Sequence, residues 1–192
     1  MVAPAWKGGE KLRAKLAEIA DRVSDGNAVR VGFLEGGTYP DGTSIPMVAA
    51  VQEFGGTIEH PGGTKYITDA VVGKGKNQRL ATRFVSNDFK GNTETTKAHT
   101  IEIPARPFMR PTIAAHKGEW GSDFGKVLTK EDYNVNTALT QMGNLIAGQI
   151  RQSIKDVTAP PLAPSTVARK GFDKPLIDTA VMWNSVDYEI PE

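Results

Sequence analysis

Cysteine is absent from all 192 residues, which excludes disulfides, thiolate metal sites and cysteine nucleophiles together. Histidine is nearly as scarce. His60, His99 and His116 are scattered without HxH or HExxH spacing, so the pattern points to no metal site. No long apolar run exists either: the longest is Met47 to Val51, against the ~20 residues that a bilayer crossing needs. The start, Met1-Val2-Ala3-Pro4-Ala5-Trp6, has no apolar core of a secretory signal, and the expectation is a soluble chain made in the cytoplasm, with no membrane partner. A strong surplus of one charge is also missing. The formal net charge of +1 argues against a dedicated nucleic-acid binder.

What is present is globular in character, with 39% hydrophobic and 23% charged residues. Twenty glycines and twelve prolines indicate many turns rather than a plain helical bundle. The length suits one domain over 1–192. Charge is placed unevenly: Gly73 to Lys97 carries six basic residues against two acidic, and Asp173 to Glu192 carries one basic against five acidic. Two readings stay open, solvated surfaces or opposite ends that match between copies.

Along the chain, Leu12, Leu16, Ile19, Ala20 and Val23 recur at helical steps, and Gly26-Asn27 ends that run. Val29, Val31 and Phe33 alternate on one face of a strand. Pro46 fits the first turn of a second helix, with Met47, Ala50, Val51 and Phe54 expected on its buried face. Between Thr57 and Glu102, the runs Tyr66–Val72, Leu80–Val85 and Ala98–Ile103 are β-prone and separated by turns, so 57–102 reads as an inserted β-rich arm. After Pro104, Pro107 and Pro111 comes a helix expected to fray or bend at Gly118, Gly121 and Gly125. The strongest helix spans Asp132 to about Val157 on a stripe from Val135 to Val157, with Thr129 the expected cap. Prolines from Pro160 to Pro164 break it. Short helices are expected from Ser165 and within Leu176–Trp183, and a final strand over Val186–Ile190. These elements make an α+β chain: a small mixed or antiparallel sheet packed by one long helix and shorter ones, with a hairpin arm inserted.

Catalytic patterns are wanting. Gly73-Lys74-Gly75-Lys76 lacks phosphate-loop spacing, no GxSxG elbow occurs, and Glu131-Asp132 suits a helix start without catalysis. No enzyme and no cofactor is expected. Apart from Phe84 and Phe89, aromatics do not interleave with the basic residues of the arm as a base-stacking platform requires.

Four stretches carry a resemblance: the strand Val29–Leu34, then Val51-Gln52-Glu53-Phe54-Gly55, then above all Ile103-Pro104-Ala105-Arg106-Pro107-Phe108-Met109-Arg110-Pro111, then Pro161 to Gly171 with Lys174-Pro175-Leu176-Ile177-Asp178-Thr179. The chain resembles the tail-completion, or neck, proteins of tailed phages, whose pattern is EFG, a variable gap, and IPARPF(M/L)RP. Ala180 stands where that family commonly has glycine, and 57–102 is longer than its shortest gaps. The resemblance implies a small α+β subunit in a homo-oligomeric ring, commonly sixfold. Such a ring sits in the virion, where it caps the tail tube and meets the head connector or adaptor, with passing contact to genomic DNA. Interface candidates are Lys74, Lys76, Arg79 and Arg83 on the arm, Asp187 and Glu189 in the acidic segment, and Arg106, Phe108 and Arg110 in the proline-rich stretch. Phe108 would anchor an apolar contact and the two arginines would fork onto carboxylates, or these three serve inside their own subunit. Two alternatives accompany this reading: a DNA-contacting assembly protein using the basic arm, and a head-side adaptor or closure protein.

Overall fold

Apolar residues at three- and four-residue spacing wind the first segment into α1 (Gly9–Ser24), and alternating Val31 and Phe33 lie in the short strand β1 (Arg30–Phe33). The computed structural model describes residues 9–24, 28–72 and 79–191. Among them the elements continue with α2 (Ile45–Phe54), β2 (Gly56–His60), β3 (Lys65–Val72), β4 (Arg79–Phe84), β5 (Glu94–Thr95), β6 (His99–Ile103), α3 (Met109–Lys130), α4 (Val135–Asp156), α5 (Pro164–Lys170), α6 (Val181–Asn184) and β7 (Val186–Glu189). The fold is α+β, with all strand pairs antiparallel in sheets of two, two and three strands.

The chain divides into two compact units, one of Met1–Phe54 with Pro104–Glu192 and one of Gly55–Ile103. In the first, β1 pairs with β7 across the whole chain length, from Arg30 opposite Glu189 to Phe33 opposite Val186. The long helix α4 supports this ribbon. Its buried stripe runs through Val135, Ala138, Leu139, Met142, Ala147, Ile150 and Ile154. Gly143 lies on the same face, where an added Cβ would sit 2.5 Å from the Tyr188 ring, so only glycine lets β7 come this close. Ile45, Ala49, Phe108, Leu176, Met182 and Val186 complete the core with the C-terminal half of α4.

Three sequence expectations change here. The cap of α4 is Asn134, whose side chain accepts from Thr137 N at 2.9 Å; Thr129 instead donates to the Gly125 carbonyl within α3. The buried face of α2 is Ile45, Ala49 and Glu53, whereas Met47 and Phe54 are 58% and 66% exposed. And α3 does not stop at its glycines. It runs 22 residues to Lys130, held against α4 by packing and by a Trp120 Nε1 bond to Gln149 at 2.8 Å. Tertiary contact here outweighs the weak helix propensity of glycine. A Cβ at Gly118, Gly121 or Gly125 would meet nothing within 4 Å. Each glycine-to-alanine change at these sites should therefore stabilise the unit by about 1 kcal/mol, read as a higher urea midpoint at unchanged slope.

Ala180, at the position where a glycine was expected, adopts a left-handed backbone with φ 61° just before α6. The second unit holds a β2–β6 ribbon and a β4-β3-β5 sheet. His60 and His99 stack across the ribbon with ring centres 5.0 Å apart.

Candidate functional site

The first N–H groups of any helix lack internal acceptors. For α3 the capping position is Phe108, whose side chain makes no cap bond. Glu53, at the end of α2, does the capping from another helix. Its Oε2 accepts from Phe108 N at 2.7 Å and Met109 N at 2.9 Å, and its Oε1 accepts from Arg110 N at 3.0 Å and Arg110 Nε at 2.9 Å. The reverse exchange satisfies α2. Arg110 donates to the Glu53 carbonyl and Arg106 N to the Gln52 carbonyl, both at 2.7 Å. A carboxylate thus meets the positive end of α3 while a guanidinium meets the negative end of α2, the favourable sense for both dipoles. The Glu-Phe-Gly and Arg-Pro-Phe-Met-Arg halves of the signature are two sides of one clamp.

Burial pushes the Glu53 carboxyl up, but the N–H groups of Met109 and Phe108 and the side chain and N–H of Arg110 together hold it below the ordinary glutamate value of about 4.5. A group depressed on folding contributes stability above its unfolded pKa and loses it as the pH falls through the lower folded value. Stability should accordingly fall in acid from about pH 4.5 downward. Urea titrations from pH 7 to pH 3 should show a shallower acid decline for Glu53→Gln than for the native chain; equal declines would contradict the assignment.

Arg106 and Phe108 lie inside the subunit. Arg106 is 7% exposed and donates through Nε to the Pro160 carbonyl at 3.0 Å and through Nη2 to the Pro161 carbonyl at 3.3 Å. It holds the proline-rich turn after α4 rather than a partner's carboxylate. Phe108 is 1% exposed, edge-on to Phe33 at 5.9 Å, and its carbonyl accepts from Thr112 Oγ1 at 2.7 Å and Ser153 Oγ at 2.8 Å. Of the two roles open for Phe108, the surface anchor is corrected and the role inside its own subunit holds: the apolar ring fills the core. Arg110 does not fork onto a partner's carboxylate: its Nε donates to Glu53 Oε1 in its own chain, its Nη2 donates to the Glu53 carbonyl, and the guanidinium lies over the Phe54 ring at 4.8 Å.

Beside the clamp an open groove of about 710 Å³ runs between β1, α2 and the start of α3. Val31, Phe33, Ala50, Phe54, Met109 and Ile113 give it apolar walls, and Arg30, Glu35 and Glu189 mark its rim. An apolar concavity with exposed Phe54 and Ile113 is suited to a protein contact. Comparison with protein-family models, with curated proteins and with solved structures gives no match.

The remaining candidates are dispersed. Lys74 and Lys76 lie outside the described residues. Arg79 pairs in the β4 register with Val72, and Arg83, also on β4, is exposed. Asp187 and Glu189 are exposed on β7, where Asp187 accepts from Tyr188 N and Glu189 meets Arg30 at 3.3 Å, so the acidic strand already has a basic neighbour. The role of Glu53 was not legible in the motif alone. Its signal was a carboxylate in the last turn of a helix, where the dipole disfavours negative charge, so its partner had to come from elsewhere.

Proposed function

We propose that this chain is a structural virion subunit, a ring-forming tail-completion protein that caps the tail tube and joins it to the head connector. The observation that supports it best is the convergence of the two signature halves on one buried clamp beside an open apolar groove. Residues that resemble the phage pattern are consumed in fixing a rigid helix-to-helix corner, and what they leave open is a surface for another protein. Work of this kind is fitting, not bond-making. The carboxylate that a hydrolytic reading would single out, Glu53, already accepts four hydrogen bonds from its own chain.

The test is imaging of the purified chain incubated with tail tubes that lack a terminal ring. Rings seated on one end of the tubes are the expected result. Binding only to connector-bearing heads would favour the head-side adaptor, and bare tubes and bare heads would overturn the reading. Retardation of DNA that falls steeply with salt would favour the DNA-contacting alternative.

A further inference from the structure

We propose that the apolar stripe of α1 docks into the groove of a second copy of this chain, a head-to-tail contact that rests on the reading of a ring-forming subunit and deepens it. Leu12, Leu16, Ile19 and Val23 fall within about 60° of one another at 100° per residue, a narrow apolar seam. Within its own subunit most of this seam is uncovered: Leu12 is 61% exposed, Leu16 56% and Val23 39%, with Ile19 half-buried. A 16-residue helix with its apolar side in water is marginal on its own, so covering that side is a favourable step waiting for a partner.

The groove is the complementary vacancy on the same chain, and its own α1 is tied away from it. Arg22 of α1 donates to the carbonyl and the carboxylate of Asp132, both at 2.7 Å, just beyond the C-terminal end of α3. The groove lies at the N-terminal end of α3, the other end of that 22-residue helix. None of the described α1 residues lines the groove of its own subunit, so the seam assigned to it is another copy's. The seam is flanked by Arg13 and by Lys15, which also meets Glu18 at 3.2 Å, and the groove rim carries Glu35 beside the Arg30–Glu189 pair, a fit of opposite charge that sets direction. Two unlike surfaces on one chain make a heterologous interface, which propagates from copy to copy and closes into a ring where the rotation allows.

Two variants at exposed positions test this, Leu16→Glu on the seam and Ile113→Glu on the groove wall, with far-UV circular dichroism confirming that each folds. Light scattering after gel filtration should show multimers for the native chain and a monomer of 20.7 kDa for each variant alone, association being weakened at least tenfold. Mixed one to one, the variants should form a dimer and nothing larger, because one intact seam and one intact groove remain. Variants that still assemble like the native chain would overturn the α1 contact and leave the ring reading standing. A mixture that stays monomeric would also overturn the contact. A native chain that is monomeric at every concentration would remove both.

Discussion

Replacing Glu53 by alanine should destabilise the first unit by about 2–4 kcal/mol, measured as a lower urea midpoint at unchanged slope. The clamp sets that magnitude. Glu53 is 4% exposed and is the acceptor for the N–H groups of Phe108, Met109 and Arg110. Without it, the buried Phe108 N–H has no acceptor, at about 1–3 kcal/mol, the half-buried Met109 and Arg110 N–H groups are left to water, and the helix loses its cap, worth about 1 kcal/mol. Arg110 behaves differently. Its side chain is 57% exposed, and Arg110→Ala leaves the Glu53 carboxylate its three backbone N–H donors, so that change should cost only about 1 kcal/mol. Glu53→Gln should fall between the two. A Glu53→Ala loss below about 1 kcal/mol would contradict the capping role.

Phe108→Ala should cost about 3–5 kcal/mol by leaving a cavity in the middle of the core. The ring is 1% exposed and packs edge-on against Phe33, so its removal takes away buried area and an aromatic contact at once. Phe108→Leu should recover more than half of that loss, because it refills most of the volume. An interface residue would show the opposite signature, unchanged monomer stability with assembly abolished. The same denaturation series distinguishes them: a stability change under about 1 kcal/mol for Phe108→Ala would return the residue to the surface role that its motif suggested.

How much was legible beforehand followed from how one-sided each pattern is. The α4 stripe was readable because Val135, Leu139, Met142, Ile150 and Ile154 keep one face over six turns, with polar residues opposite. The α2 face was not, since Ile45 to Val51 is apolar nearly all round and gives no phase. A charged residue was also the last one to be counted as core, although Glu53 fixes the phase once its four donors are seen. The continuity of α3 was hidden because glycine propensity is local while the support comes from α4, distant in sequence. The cap at Asn134 was misplaced to Thr129 because the turn between α3 and α4 turns through left-handed Asp132 and Tyr133, which the apolar pattern does not mark. The groove was invisible in the same way. Its walls come from three elements separated by up to 80 positions, and only their meeting at the clamp makes a concavity.

The central claim is that this chain works by assembling with copies of itself, and native mass spectrometry of the full chain over a range of concentrations tests it most directly. A single closed multiple of 20.7 kDa, six copies on the family resemblance, is the predicted species at assembly concentrations. A chain found at 20.7 kDa at every concentration would contradict it.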